Sequence, residues 1–422
     1  MKAVVFRGVG DIAVEEVDDP KVEAATDAVV RITTSAICGT DLHFVRGTMA
    51  GMVPGTILGH EAIGIVEEVV ADVRNLAPGD RVVIPSTIGC GACSYCRAGY
   101  YAQCDVANPN GPQAGTCFFG GPQATGPVNG LQAEYARIPF AHTGPVKLPE
   151  AMSDDDAILL SDIFPTSWFG ARLAEVGSGD TVAVFGAGVV GQLAMASAVL
   201  QGAGRVFAID DKPTRLELAR MQGAEPIDFS KEDPVETIRR LTNGIGVDRV
   251  IDAVGVDATR PHQGPAAEAS ADKAEQFAQQ VSMVAPETNP TGGNWEPGDA
   301  PGQSLHWAVE AAAKAGTIGI IGVYPPQMEA FPIGAAMNKN LTVNMGNCNH
   351  RRYVPELIDI VASGRMRLSP NLSHQETFES ILEAYRAFDR REPGWTKVAV
   401  AVGEGSSMQV SGRATVDAMT DA

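Results

Sequence analysis

Residues 181–191, TVAVFGAGVVG, form a β-branched stretch that runs into Gly186, Gly188 and Gly191. An apolar helical stretch, QLAMASAVLQG, follows, and a second apolar strand, RVFAID, ends at Asp210. A glycine motif alone is weak, and an ordinary Gly-rich turn is the alternative. Strand, glycines, helix, strand and terminal acid in this order are typical of a dinucleotide-binding unit. We therefore predict an α/β fold with a Rossmann domain, built on a doubly wound parallel sheet.

The polar residues of this unit predict which dinucleotide binds. The glycines allow a tight turn and let a pyrophosphate approach the helix N-terminus. Asp210 would accept hydrogen bonds from the adenosine ribose hydroxyls and repel a 2′-phosphate, which predicts NAD rather than NADP. Arg215 is a secondary candidate for the same ribose, since a single arginine at a helix start is more often simply solvated.

Four of the seven cysteines lie in one loop, GCGACSYCRAGYYAQC, at the spacing C-x2-C-x2-C-x7-C. Such short spacers suit several thiolates on one tetrahedral zinc ion better than they suit disulfide geometry. Four protein ligands leave no open position for substrate, so this zinc would be structural. A pair of disulfides and an iron–sulfur cluster are the alternatives. The four predicted ligands are Cys90, Cys93, Cys96 and Cys104.

A second, catalytic metal has candidate ligands on both sides of that loop. Cys38 lies in AICGTDLH, and His60 and Glu61 lie in LGHEAIG. A catalytic zinc takes three protein ligands and keeps one position free. Asp162, in LLSDIFPTSW, is a charge within an apolar run and therefore needs a partner. Each of these residues alone would more often be a core residue, but together they indicate a metal site.

These motifs, in this order, resemble the zinc-containing alcohol dehydrogenases of the medium-chain dehydrogenase/reductase superfamily. SDIFPTSW is similar to the glutathione-independent formaldehyde dehydrogenase-like branch, in which an aspartate replaces the usual second thiolate of the catalytic zinc. The resemblance implies a GroES-like β-barrel catalytic domain, a Rossmann domain, two zinc ions per chain and hydride transfer to NAD. It makes Cys38, His60 and Asp162 the catalytic zinc ligands, with Glu61 beside the metal.

The resemblance also implies roles for residues that line the reaction site. Thr40 corresponds to the hydroxyl residue that touches the zinc-bound oxygen, and His43 to the histidine that passes the proton to solvent. Thr166 corresponds to a contact on the nicotinamide side. The strand ends expected to flank the nicotinamide are Val254, Ile321, Gly322 and Val323.

The rhythm of strands and helices divides the chain. Short β-type runs with Gly and Pro turns predict a small β-barrel over residues 1–155, which the resemblance makes the GroES-like domain and to which residues 346–403 are expected to return. Alternating strands and helices predict the Rossmann domain over 156–345. Within it, the long insertion 256–302 would cover the cofactor, contact a neighbouring subunit or decorate the surface. Residues 404–422 lack periodicity and are predicted to be a disordered tail.

Composition limits the partners. The 422 residues include 51 acidic and 32 basic side chains, a net charge of −19. This balance argues against nucleic acid and anionic membranes, which require basic surface. No apolar stretch approaches a membrane span and no signal-peptide profile begins the chain, so we expect a cytoplasmic protein. We also expect a homo-oligomer, a tetramer in preference to a dimer.

Taken together, the motifs predict an oxidoreductase that transfers a hydride from an alcohol or an aldehyde hydrate to NAD. A narrower prediction is that the enzyme oxidises formaldehyde to formate without glutathione. The alternative is a general primary or secondary alcohol dehydrogenase of the same fold. A non-catalytic NAD(P)H-binding protein is the third candidate, but members of that kind usually lose the zinc ligands.

Overall fold

The structure, a computed structural model, describes residues 1–402. The predicted disordered tail, residues 404–422, lies outside the described residues. Among residues 1–402, the helices are all too short or too polar to cross a lipid bilayer.

The N-terminal part of the chain is mainly β-structure. Its elements are the strands β1 (Lys2–Gly8), β2 (Asp11–Glu16), β3 (Ala28–Ile37), β4 (Ala62–Val69), β5 (Arg81–Ile84), β6 (Tyr135–Ile138) and β7 (Val146–Lys147), and the helices α1 (Gly39–Arg46), α2 (Ser94–Arg97) and α3 (Asp154–Ile158). Strands β1 and β2 form an antiparallel pair, and β3 is the long central strand that pairs with both β4 and β6.

The middle of the chain alternates helices and strands, as predicted. Its elements are α4 (Ile163–Leu173), β8 (Thr181–Phe185), α5 (Val189–Leu200), β9 (Arg205–Asp210), α6 (Pro213–Met221), β10 (Glu225–Asp228), α7 (Pro234–Leu241), β11 (Val247–Asp252), α8 (Gly264–Ala269), α9 (Ala274–Val284), α10 (Gln303–Ala311), β12 (Ala312–Ile320), α11 (Ile333–Asn338) and β13 (Thr342–Met345). The six strands form one parallel sheet in the order β10-β9-β8-β11-β12-β13. The chain moves outward from β8 on one side and from β11 on the other, so a ligand-binding crevice is expected at the carboxyl ends of these two strands.

The last part of the chain returns to the first sheet, as the sequence indicated. It contributes α12 (His350–Ala362), β14 (His374–Thr377), α13 (Ile381–Asp389) and β15 (Val398–Ala401). Strand β15 pairs antiparallel with β3 and completes a seven-stranded sheet of order β14-β15-β3-β4-β5-β7, with β6 beside β3. The boundaries drawn at residues 155 and 346 remain predictions.

The insertion 256–302 contains two helices, α9 and the shorter α8 that precedes it. Trp295 is only 4% exposed and packs into an apolar cluster formed by residues of β1, β3 and α13. This cluster lies in the half of the molecule that contains the seven-stranded sheet. The insertion therefore leaves the parallel sheet after β11 and anchors an aromatic side chain in the other half of the molecule.

Candidate metal and cofactor site

Two adjoining cavities lie between the two sheets. The outer cavity, of about 200 Å³, is bordered by the glycine turn after β8, by Asp210 at the end of β9 and by Arg215. The inner cavity, of about 210 Å³, is bordered by Cys38, His60 and Asp162. The residues that line both cavities are Gly39, His43, Val190, Ala253 and Val254. A ligand lying along this cleft can therefore reach from the glycine turn to the candidate metal ligands.

The glycine turn has the close packing that its sequence predicted. Gly186 has a φ of +86°, which favours glycine. A Cβ on Gly191 would lie 1.8 Å from the carbonyl oxygen of Gly186, so no larger residue fits there. Gly188 is the residue before α5 and lines the outer cavity. The turn thus brings the N-terminus of α5 to the cavity, where an anionic pyrophosphate would be stabilised.

Asp210 faces the outer cavity and also holds the turn in place. It is 5% exposed, and its Oδ2 accepts a hydrogen bond from the backbone N–H of Ala187 at 2.8 Å. Its Oδ1 accepts from the N–H groups of Asp211 at 2.8 Å and Lys212 at 2.9 Å. Nη1 of Arg215 lies 3.7 Å from Oδ2. Asp210 and Arg215 therefore lie side by side at the outer cavity, and their contact with a ribose stays a prediction.

Three side chains from separate elements converge on the inner cavity. Cys38 precedes α1, His60 precedes β4, and Asp162 precedes α4. Oδ2 of Asp162 lies 3.4 Å from Nε2 of His60 and 3.8 Å from Sγ of Cys38. Together with Glu61, these residues place their ligand atoms within 4.8 Å of one another. The sequence intervals between them gave no indication of this distance.

The two oxygens of Asp162 have different partners. Oδ1 lies 2.6 Å from Nε2 of His350, and it accepts hydrogen bonds from the hydroxyls of Thr166 at 3.0 Å and Ser86 at 3.2 Å. Burial raises the pKa of Asp162, but His350 and His60 lower it more, so the net pKa is well below its usual value. The carboxylate stays ionised, and only Oδ2 faces the cysteine and histidine.

Electrostatics around His60 favour a positive charge at this point. Burial lowers the pKa of His60, but Asp41 and Cys38 raise it well above its usual value. Nδ1 of His60 lies 3.1 Å from Oδ1 of Asp41. Burial and the neighbouring Glu61 raise the pKa of the Cys38 thiol. A bound cation would compete with these protons, since metal ligation requires a thiolate and a neutral imidazole.

The donor set fits zinc. Thiolate, imidazole and carboxylate are all ligands that zinc accepts, and three of them beside a cavity leave a fourth position for substrate. The carboxylate of Asp41 lies within ion-pair distance of Nδ1 of His60, and Nε2 is the ring nitrogen that faces Asp162. Cys38, His60 and Asp162 would therefore hold the ion.

Glu61 lies behind the other three residues and is neutralised by a residue that the sequence did not single out. Nζ of Lys397 lies 2.6 Å from Oε1 and 2.5 Å from Oε2 of Glu61, and neither side chain has exposed surface. Burial raises the pKa of Glu61, whereas Lys397 lowers it, and the net pKa is raised. The ammonium group also donates to the carbonyl oxygen of Ile37 at 3.0 Å.

The remaining predicted residues line the inner cavity. Thr40 and His43 line the inner cavity on the side of α1, and Thr166 lines it beside Asp162. The loop 112–130 adds Thr116 and Phe118 to the same wall. The strand ends that line the inner cavity on the side of the parallel sheet are Val254, Ile321, Gly322 and Val323.

The four-cysteine loop forms a separate site. Its ligand atoms also lie within 4.8 Å of one another, and all seven cysteines of the chain are free, so no disulfide pairs them. Backbone N–H groups point at the sulfurs, for example from Cys93 to Sγ of Cys90 at 3.3 Å and from Ala107 to Sγ of Cys104 at 3.3 Å. Burial raises the pKa of Cys93, but hydrogen bonds from Cys96 and Asp105 lower it to about 7. Four sulfurs with such donors fit a closed, structural zinc site.

Sequence reasoning missed the partners that hold these residues. His350 is the last residue of the stretch NCNH, and no spacing relates it to Asp162. Lys397 begins the apolar run KVAVAV, and a charge in that position was a usable signal because a buried lysine requires a partner. Asp257, whose Oδ2 lies 2.9 Å from Nδ1 of His43, had no signal in the sequence, since acidic residues are common in loops.

Comparison with known proteins agrees with this geometry. A model of the alcohol dehydrogenase GroES-like domain matches residues 24–150, and a zinc-binding dehydrogenase model matches residues 189–262. The uncharacterized zinc-type alcohol dehydrogenase-like protein AdhB of Bacillus subtilis (strain 168) is 34% identical, over 95% of this chain and 100% of the relative. The glutathione-independent formaldehyde dehydrogenase of Pseudomonas aeruginosa (strain LESB58) is also 34% identical, over 80% of each chain.

Solved structures extend this similarity to the whole fold. The alcohol dehydrogenase TADH from Thermus sp. ATN1 has a TM-score of 0.77 and is 33% identical, with 96% of this chain and 100% of that one covered. The predicted architecture, a GroES-like domain joined to a Rossmann domain, is confirmed. The chain therefore belongs to the zinc-containing alcohol dehydrogenases of the medium-chain dehydrogenase/reductase superfamily.

Proposed function

We propose that this oxidoreductase binds two zinc ions and transfers a hydride from an alcohol or an aldehyde hydrate to NAD. The supporting observation is the convergence of Cys38, His60 and Asp162 at one end of a cleft whose other end is the glycine turn. Reacting carbon and nicotinamide would meet where the two cavities adjoin. The four-cysteine loop would hold the second, structural zinc.

The side chains around the inner cavity suit proton removal and cofactor orientation. Zinc, when bound, supplies Lewis acidity that lowers the pKa of a substrate hydroxyl. Thr40 would take up the hydroxyl proton while it releases its own, and His43 would carry the released proton on toward solvent. Asp210 holds the adenosine ribose through its two hydroxyls and repels a 2′-phosphate, so the preference is for NAD. Four strand-end residues hold the nicotinamide against the substrate, namely Val254, Ile321, Gly322 and Val323.

Two substrate classes are candidates. Asp162 in the place of a thiolate supports formaldehyde, through the resemblance to the glutathione-independent branch. The identity of 34% both to that kind of enzyme and to a zinc-type alcohol dehydrogenase-like protein supports a general alcohol substrate equally well. A panel of alcohols and aldehydes, assayed with NAD and without glutathione, separates them. A rate for hydrated formaldehyde far above the rates for ethanol and longer alcohols would establish the narrower activity.

The edge of the parallel sheet supports the expected homo-oligomer. Strand β13 has no neighbour on its outer side within residues 1–402. Large apolar side chains lie exposed beside it, with Ile333 at 73%, Met337 at 78% and Met345 at 62%. Such an edge commonly pairs with another chain. We infer that copies associate here and that the free thiols reflect a reducing cytoplasm.

Exchange of Asp162 tests the proposed function. Asp162→Ala should lower the zinc content from about two to about one per chain, because an open three-ligand site loses a ligand while the closed four-thiolate site keeps its own. Activity should be lost with the metal. Asp18→Ala, at an exposed carboxylate, is the control and should keep both ions. Two zinc ions and full activity in Asp162→Ala would show that Asp162 is not a ligand.

A further inference from the structure

A buried carboxylate contacts the histidine of the proposed proton path. Oδ2 of Asp257 lies 2.9 Å from Nδ1 of His43, and each side chain is only 7% exposed. His43 comes from α1 of the first sheet's half, whereas Asp257 closes a short 3-10 turn, Gly255–Asp257, directly after β11 of the parallel sheet. The pair therefore spans the cleft in which the cofactor would lie.

We propose that Asp257 is the positioning residue of His43: it accepts the Nδ1–H and leaves Nε2 as the nitrogen that takes up the proton from the substrate side. This inference rests on the proposed function, in which His43 carries a proton. A carboxylate can only accept a hydrogen bond, so its partner nitrogen must bear the hydrogen. This hydrogen bond holds the imidazole in a single tautomer. In other functional histidines, too, the hydrogen bond made by one ring nitrogen sets the protonation of the other.

The second neighbour of Nδ1 cannot replace the carboxylate. The hydroxyl oxygen of Thr48 lies 3.0 Å from Nδ1 and donates to the carbonyl oxygen of His43 at 3.3 Å, so it accepts from an Nδ1–H in this arrangement. A hydroxyl can turn and donate to a bare Nδ1 instead, so Thr48 favours the Nδ1–H tautomer without requiring it. Asp257 removes this freedom, because it requires the hydrogen on Nδ1.

The carboxylate is held rigidly enough to position the ring. Nη1 of Arg46 lies 2.5 Å from Oδ2 of Asp257, and the N–H of Gly298 donates to Oδ1 at 3.2 Å. Nε of Arg46 in turn donates to Oδ1 of Asp389 at 2.8 Å, so the arginine is itself anchored. Burial raises the pKa of Asp257, but Arg46 and His43 lower it by more. The net pKa is therefore below its usual value, and the carboxylate stays ionised.

An experiment must distinguish the positioning role from a purely structural one. In the structural role, Arg46, Asp257 and Asp389 join the two halves of the molecule and have no effect on His43. Asp389 offers a matched control: it is a buried carboxylate, it pairs with the same arginine, and it has no contact with His43 among residues 1–402. A structural role makes both carboxylates matter alike, whereas positioning makes only Asp257 affect the imidazole.

The test compares Asp257→Asn and Asp257→Ala with Asp389→Asn in the zinc-loaded, full-length protein. With ring-¹⁵N-labelled histidine, the His43 signals, assigned by their loss in His43→Gln, should show an Nδ1–H tautomer in the wild type and in Asp389→Asn. Both Asp257 variants should show a mixture of tautomers. The kcat of both Asp257 variants should fall about tenfold to hundredfold, the range that follows loss of the hydrogen-bond partner of a metal-ligating histidine. KM for the alcohol should stay near its wild-type value. Asp389→Asn should keep its kcat.

Each other outcome has a defined meaning. An unchanged His43 tautomer in Asp257→Ala would overturn the inference, and so would an equal fall of kcat in Asp389→Asn. If His43→Gln retains full activity, the proposed proton path is wrong, whereas the tautomer measurement still decides whether Asp257 positions the ring. Asp257→Asn keeps the size of the side chain but replaces one acceptor oxygen by a donor NH2 group, so it supplies the answer if Asp257→Ala does not fold.

Discussion

Replacing Lys397 by methionine should destabilise the protein strongly. The methionine keeps most of the volume of the lysine but removes the only cation that contacts Glu61 among residues 1–402, and both side chains are fully buried. Breaking a buried ion pair by removing one partner costs about 3–5 kcal/mol, because the other charge stays desolvated. Glu61 already has a raised pKa through burial, and without Lys397 it can take up a proton. Because protonation removes the buried charge of Glu61, the expected loss in the free energy of unfolding lies near the lower limit, about 3 kcal/mol.

Urea unfolding of the zinc-loaded protein measures this loss. With an m-value of about 3 kcal/mol per molar, typical of the upper range, the midpoint should fall by about 1 M. Arg31→Met is the control, since the pair of Arg31 and Glu67 has side chains that are 42% and 43% exposed. Its loss should stay below about 1 kcal/mol. The double variant Lys397→Met with Glu61→Gln should recover part of the stability, because no charge is then left unpaired.

A loss below about 1 kcal/mol in Lys397→Met would refute this reasoning, since it would mean that Glu61 is solvated or neutral in the native protein. Equal losses in Lys397→Met and Arg31→Met would refute it as well, because burial would then make no difference.

Three further changes test other parts of the structure. Cys96→Ser should release the structural zinc and lower the thermal midpoint, while the zinc at Cys38 remains; a chain that still binds two ions would contradict the four-thiolate site. Asp210→Ser should raise kcat/KM for NADP relative to NAD, because the repulsion of a 2′-phosphate is lost; a wild-type preference for NADP would contradict the role of Asp210. Trp295→Ala should cost about 3–5 kcal/mol in the free energy of unfolding, because it empties a core position; a cost below about 1 kcal/mol would show that the insertion is not anchored there.

Much of the fold could be predicted because its signals are local. The stretch from Thr181 to Asp210 contains a whole strand–turn–helix–strand unit, and Gly191 is required by its contact with Gly186 inside that unit. The four cysteines of the structural site lie in one loop, so their spacing alone brings the sulfurs close. The order of the motifs also identified the family, because several specific motifs had to occur together.

The partners of these residues could not be predicted, since they are distant in sequence. His350 is 188 residues from Asp162, and Lys397 is 336 residues from Glu61. No periodicity or spacing links such pairs, because their approach depends on how two sheets and an insertion pack. The sequence by itself therefore determined the fold and the family, and it predicted which side chains would bind zinc and NAD. The tertiary structure decided which oxygen of Asp162 faces Cys38 and His60, which cation neutralises Glu61 and which acid contacts His43, because a buried charge requires whatever partner the folded chain brings within reach.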